Sequence, residues 1–296
     1  MTELRIDSLL PAEMATRAEY LGVRKAEMPT FTMLMLSILA GAFIALGAIF
    51  ATTVAAGGMS VTTADGSAAF TTGFPYGVTR LLTGLVFCLG LILVIVGGAE
   101  LFTGNNLIVM AWANGKVTTT ALLRNWAIVY IGNFIGSIAT AILMFFTRQY
   151  TFGSDAVGIT ALKIAVGKCD LDFLQAVALG ILCNGLVCLA VWLTYSARTT
   201  LDKIISIIFP ITAFVAAGFE HSIANMYFIP YALLVKMFDP EYMARVAEKV
   251  PHLDVLTWQA FFLKNLIPVT IGNIIGGAVL VAAVYWVVFL RGKKVS

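Results

Sequence analysis

Two octets, Gly98-Ala-Glu-Leu-Phe-Thr-Gly-Asn105 and Gly218-Phe-Glu-His-Ser-Ile-Ala-Asn225, decide the fold of this chain. Gly98, Glu100 and Asn105 recur as Gly218, Glu220 and Asn225, each 120 residues later. Both octets lie inside long apolar segments, the worst place for a helix to loosen or to hold a carboxylate. Unwound backbone and ionisable side chains at membrane depth are tolerated only where protein buries them or a cavity wets them. The pairing therefore predicts two membrane-embedded helix breaks and points to a transport site.

Working outward, the segment carrying the first octet runs from Leu81 to Ala113 with Glu100 as its only charge. At about 1.5 Å per residue it would reach roughly 50 Å, against a hydrocarbon core of about 30 Å. It is expected to break at Gly97-Gly98 rather than tilt. The second octet interrupts an equally overlong segment, Ile204 to Val235, flanked by Pro210 and Pro230. The other apolar segments need no break: residues 31 to about 55, 126–147, 173–197 and 265–290 each suit one span. A Gly/Ser/Thr-rich loop through Pro75 follows the first, and a longer polar loop covers about 236–264.

The halves match beyond the octets. Asn125 through Gly132-Asn133-Phe-Ile-Gly136 parallels Asn265 through Gly272-Asn273-Ile-Ile-Gly276, 140 residues apart. The chain thus reads as an all-α membrane protein of six transmembrane helices in two three-helix units, about 31–147 and about 173–290. In each unit the middle segment (two or five) is broken. Three spans per unit invert the second relative to the first, an arrangement common in transporters. Residues 31–296 are expected to form one transmembrane channel domain. Residues 1–30 are polar, and Pro11 suits a first helical turn. Ala12, Met14, Ala15, Ala18 and Leu21 then share a stripe opposite Glu13, Arg17 and Arg24, giving either an amphipathic segment on the membrane or pore mouth, or a solvated leader.

Composition agrees. The chain is 60% apolar and 12% charged, whereas soluble domains run about half apolar and about a quarter charged. A net charge of +3 is too small to suggest a nucleic-acid partner. Cys88, Cys169, Cys183 and Cys188 form no ligand spacing and, with only two histidines, suggest neither a disulfide framework nor a metal site. No cofactor fingerprint is visible, and no signal peptide precedes the first span. With the N-terminus inside, eleven Lys/Arg (Arg5, Arg17, Arg24, Lys25, Lys116, Arg124, Arg198, Lys203, Arg291, Lys293 and Lys294) collect on the cytoplasmic side and eight on the other. The positive-inside rule thus favours both termini in the cytoplasm.

His221 is the only histidine in an expected span, and an intramembrane ionisable group is by default a functional hypothesis. It exchanges protons in the physiological range or simply bonds a backbone carbonyl at the break. Thr103, at the other break, orients His221 or bonds a passing anion, or caps the second half-helix. Glu100 and Glu220 are read as structural, accepting backbone N–H groups freed by the breaks, with proton carriage as the alternative. Asn184 faces the pathway or a neighbouring helix; Asn133 and Asn273 are read as helix-packing glue. Lys168, in the loop before segment four, either draws anions to an entrance or pairs with Asp170 or Asp172. Phe87, Leu91, Phe102 and Phe214 face lipid or core unless the fold aims them inward.

These motifs, together with Arg124-Asn125-Trp126, Gly180-Ile-Leu-Cys-Asn184 and Asn265-Leu-Ile-Pro-Val-Thr-Ile-Gly-Asn273, resemble the formate/nitrite transporter family, most closely its formate-channel members, over nearly the whole chain. The resemblance implies an aquaporin-like protomer in a homopentamer with one pore per subunit, in a bacterial-type inner membrane. It implies that Thr103 and His221 face each other at the pore centre between two apolar constrictions, matched by Phe87, Leu91, Leu101, Phe102, Val187 and Phe214. Lys168 and Asn184 match an entrance lysine and a lining asparagine. The N-terminal segment matches one implicated in gating. Glu100 stands where formate channels carry aspartate, and Gly104-Asn105-Asn106 departs from a Ser/Thr-rich stretch, which bears on substrate preference.

The expected function is passage of a small monovalent weak-acid anion, formate first, with nitrite or hydrosulfide as alternatives. An anion shedding water in an apolar constriction favours capture of a proton, which His221 is placed to supply while Thr103 holds the ion. A membrane enzyme using His221 with Glu220, and a scaffold without solute flux, are the readings from other classes.

Overall fold

The computed structural model describes residues 7–57, 59–62 and 68–292; Arg5, Lys293 and Lys294 of the charge count lie outside them. Among the described residues, six helices are long and apolar enough to cross a bilayer. They are α2 (Thr30–Ala55), α3 (Tyr76–Gly97), α6 (Thr119–Thr147), α8 (Phe173–Thr194), α9 (Thr200–Ala217) and α12 (Ala260–Phe289). Ahead of them lies α1 (Pro11–Ala26). After α3 come two short helices, α4 (Phe102–Asn105) and α5 (Val109–Ala113), joined by a 3-10 turn. Among the described residues the remaining α-helices are α7 (Ala156–Cys169), α10 (Ser222–Phe238) and α11 (Pro240–Val246).

Local chemistry sets these limits. Gly98 ends α3 and Gly218 ends α9, both left-handed at φ 78°, a conformation that a Cβ penalises. Thr118, Asp172 and Thr199 cap α6, α8 and α9 by accepting backbone N–H groups at their first turns. Pro210 and Pro230 lie inside α9 and α10 rather than flanking the break. The glycine, not proline, parts the segment.

Three expectations need correction. The Gly/Ser/Thr-rich loop contains a two-stranded antiparallel ribbon, β1 (Met59–Thr62) with β2 (Ala68–Thr72). The stretch before segment four holds α7, whose Val157, Ala161, Leu162, Ala165, Val166 and Cys169 form a buried stripe. At 14 residues it is too short to register as a span, so a length criterion passes over it. Finally, α6 and α12 begin earlier than hydropathy suggests, because helical backbone continues through Arg124-Asn125 and Lys264-Asn265.

The helices pack as α2 on α3 and α6, α8 on α9 and α12, α3 on α9, and α6 on α10. Small residues permit this closeness. A Cβ at Gly136 would overlap the Ile38 carbonyl oxygen of α2, and one at Gly276 would overlap that of Ile181 in α8. Overpacking of this kind costs about 1–3 kcal/mol or more. Gly136→Leu is thus expected to lower the thermal midpoint of the detergent-purified protein. Gly185→Ala, with nothing within 4 Å of the added carbon, is the control and should not.

Candidate functional site

At the first break, Ala99 to Leu101 leave the helix and Leu101 is extended (φ −112°, ψ 125°) before α4 begins. At the second, His221 is extended (φ −111°, ψ 112°) before α10 begins. Each break frees backbone donors that lipid cannot satisfy. The Glu100 N–H donates to the Leu36 carbonyl (3.2 Å) and the Glu220 N–H to that of Leu179 (3.3 Å). The Phe102 N–H donates to Asn133 Oδ1 and the Ser222 N–H to Asn273 Oδ1, both at 2.9 Å. Each asparagine amide also donates to two carbonyls, Asn133 to Ser37 (2.7 Å) and Glu100 (2.9 Å), Asn273 to Gly180 (2.8 Å) and Glu220 (2.9 Å). The backbone-accepting task expected of the glutamates thus falls to the asparagines read as glue.

The glutamates instead sit at the centre of two equivalent polar rings. Glu100 accepts from Lys25 Nζ (2.6 Å) and Asn105 Nδ2 (2.7 Å); Glu220 accepts from Lys168 Nζ (2.7 Å) and Asn225 Nδ2 (2.6 Å). Asn105 also donates to Asn125 Oδ1 (2.9 Å), and Asn225 to Asn265 Oδ1 (2.7 Å). Asn125 and Asn265 close the rings by donating to the carbonyls of Lys25 (3.0 Å) and Lys168 (2.9 Å). A buried carboxylate requires such pairing. Lys168 therefore pairs neither with Asp170 nor with Asp172. Its side chain is 15% exposed, lies over the Phe228 ring and is committed to Glu220.

The half-helix tips meet at Thr103 Oγ1 and His221 Nε2, 3.0 Å apart, with both residues buried. His221 is also the N-cap of α10, its Nδ1 accepting the Ala224 N–H (3.1 Å). That bond places the neutral ring's proton on Nε2, which donates to Thr103 Oγ1. The Thr103 O–H is then free to donate elsewhere; it caps no helix, since α4 has no side-chain cap. Asn184 Nδ2 donates to the Thr103 carbonyl (3.3 Å) and to that of Asn273 (2.6 Å). Asn184 thus fixes the backbone behind the site.

Two cavities flank this contact. One, of about 250 Å³, is walled by Phe87, Lys168, Phe214, Glu220 and His221 among others. The other, of about 290 Å³, is walled by Arg17, Leu21 and Lys25 of α1 and by Leu91, Glu100 and Leu101. They share no lining residue. Phe214 stacks on the His221 ring (5.9 Å) and meets Phe87 edge-on (5.7 Å). Leu91 and Leu101 wall the opposite side. Phe102 and Val187 are buried but line neither cavity; Phe102 turns toward the Tyr130 ring (4.9 Å).

Two separate cavities with a buried polar contact between them suit a solute pathway, and comparison with known proteins agrees. Residues 12–287 match the formate/nitrite transporter model. The chain belongs to the formate/nitrite transporter family. Among members of this family, the formate channel FocA of Escherichia coli (strain K12) is 43% identical, with 96% of each chain covered. FocA of Haemophilus influenzae is 41% identical over 92% of each. A solved pentameric formate channel with formate bound superposes with TM-score 0.77 at 43% identity, covering 88% of this chain and 98% of that one. Like other formate/nitrite transporters, the chain is a multi-pass membrane protein.

Lys25, Asn125 and Asn265 received no site role from sequence reasoning, yet they complete the rings. A signal existed. Lys25 and Lys168 are 143 residues apart, the same offset as Leu36 and Leu179, whose carbonyls serve the two breaks.

Proposed function

We propose that this chain conducts small monovalent anions of weak acids, formate first, from one cavity to the other past the Thr103–His221 contact. The observation that carries the reading is the Thr103–His221 contact, a buried polar pair between two cavities, one walled by Phe87 and Phe214 and the other by Leu91 and Leu101. An anion leaving either cavity loses water, which favours its neutral form. The Thr103 O–H, left open by the Nε2–H···Oγ1 bond, is the first donor to such an ion, and the His221 Nε2–H becomes the second by turning from Thr103 to the ion. In its protonated form His221 gives up the Nε2 proton, and the neutral acid crosses the remaining apolar constriction at little cost. Phe102 and Val187 belong to this constriction by family resemblance. Gly98, Gly218, Asn225 and the two rings hold the tips in place.

The relatives named formate channels favour formate as the substrate and five subunits as the assembly. The matched bonding in the two halves supports an inverted repeat within one channel domain. The positive-inside count supports an inner membrane with both termini cytoplasmic, α1 lying over the cytoplasmic mouth. Nitrite and hydrosulfide share the size and charge of the proposed cargo. Acid–base enzymology by His221 with Glu220 is disfavoured: the Glu220 carboxylate turns to Lys168, Asn225 and Asn265.

Proteoliposomes assayed with formate, nitrite and hydrosulfide between about pH 5 and 8 test the reading. Formate flux that rises toward acid pH is expected, with slower passage of the others. Liposomes no leakier to any of the three than protein-free ones would refute it.

A further inference from the structure

Each cavity holds more positive charge than its carboxylate accounts for. Among the described residues lining the first, Glu220 is the one carboxylate and is spent on Lys168; Arg80 and Lys163 remain. Among those lining the second, Glu100 is spent on Lys25; Arg17 and Lys203 remain. Asp202, beside Lys203 in sequence, accepts the backbone N–H groups of Arg198 and Thr199 and is engaged there. Lys163 is exposed on α7, next in sequence to Leu162 of its buried stripe.

Arg80 has a second task. From the fifth position of α3 its Nε donates to the Ala216 carbonyl (3.0 Å) and its terminal nitrogen to that of Val215. Both carbonyls belong to the last turn of α9, that of Val215 also accepting the Gly218 N–H, so the guanidinium is fixed in the wall beside the break. A guanidinium carries five N–H donors in a rigid fork. Two are used here, and the others are available to a carboxylate or nitrite oxygen.

We propose that the charge selecting and holding the anion outside the constriction is this unneutralised set: Arg80 with Lys163 in one cavity, Arg17 with Lys203 in the other. The break lysines, Lys168 and Lys25, are reserved for the carboxylates. The inference rests on the conduit reading and assigns its capture step. A cleft lined by one sign of charge concentrates the opposite ion from solution by about tenfold or more. Such capture weakens as salt screens it. Because the cavities lie on opposite sides of the Thr103–His221 contact, each pair serves only ions arriving from its own side.

The test is sided. In planar bilayers with one-way insertion, the half-saturating formate concentration is measured from each face for wild type, K163Q and K203Q. K163Q is expected to raise it about threefold or more from the first cavity's face only, with maximal flux retained. K203Q should do the same from the opposite face, and both effects should shrink in high salt. R80K, which keeps the charge, should capture anions better than R80Q. Unchanged half-saturation from both faces, or an equal change at both, in a protein that still conducts formate would overturn the proposal while leaving the conduit reading intact. A wild type that conducts nothing would fail the conduit reading instead. The cation pairs would then be judged by formate-induced thermal stabilisation of the purified protein, whose loss in K163Q/K203Q supports them and whose persistence overturns them.

Discussion

His221→Asn is expected to flatten the pH dependence of formate uptake while leaving the protein folded. Asparagine is among the best N-cap residues, so its Oδ1 can replace Nδ1 as acceptor of the Ala224 N–H, and α10 keeps its start. What disappears is the titratable nitrogen facing Thr103. A hydrogen bond to a charged group contributes about 1.5–3 kcal/mol, and about 1.4 kcal/mol is a factor of ten. Uptake near pH 5 should therefore fall by about ten- to a hundredfold, toward the wild-type rate near pH 8. The measurement is initial formate uptake into proteoliposomes across that range. Thr103→Val removes one neutral donor and should cost less, about tenfold or below, without flattening the profile. If the asparagine variant keeps the wild-type pH profile, proton relay through the imidazole is wrong.

The arrangement also links the two roles of the ring. Nδ1 accepts a backbone N–H in the neutral form, so a doubly protonated ring must release Ala224 and leave that N–H without its cap. Proton uptake at His221 thus loosens the first turn of α10 at the tip that lines the pathway. The same side chain ends one helix half and faces the cargo, so chemistry and local structure are coupled through a single residue.

The breaks were legible because two physical limits collide at one place. An apolar run too long for a bilayer cannot stay a single rod, and glycine offers the left-handed turn that ends it. The meeting of Thr103 with His221 was legible from the residues as one alternative for Thr103 and became definite only through family resemblance, since their approach across 118 residues is set by packing. The rings were half legible. Asn125 and Asn265 stood out as a matched pair, but their bonds to the lysine carbonyls depend on side-chain direction, which spacing does not encode. Lys25 lay hidden because its partner Glu100 is 75 residues away, and a lysine on a polar leading segment reads as an orientation signal. Helix α7 escaped because a short helix resting on α10 has neither the length of a span nor the caps that announce a surface helix.

The largest structural effect is expected at Asn273, with Asn133 as its counterpart. Asn273→Ala removes the acceptor of the Ser222 N–H and the donor to the Glu220 carbonyl in one step. Both groups are buried at a break, where no helical partner exists. A buried polar group left unpaired costs about 1–3 kcal/mol, so about 2–6 kcal/mol is expected, a large part of the roughly 5–15 kcal/mol that holds a typical domain together. Thermal unfolding of the detergent-purified variant should show it, with formate flux lost as the tip bearing His221 drifts. Asn133→Ala should be similarly severe, because it orphans the Phe102 N–H and the Glu100 carbonyl. Glu220→Gln is the informative contrast. An amide of the same shape keeps one oxygen to accept from Asn225 but turns an NH2 donor toward Lys168 Nζ, which loses both its acceptor and its charge partner, so stability should fall here too while the backbone groups of the break stay paired with Asn273. A variant with alanine at 273 that matches wild type in both stability and flux would mean that the breaks are held by something other than these amides, and the account of how the pathway is kept open would fail with it.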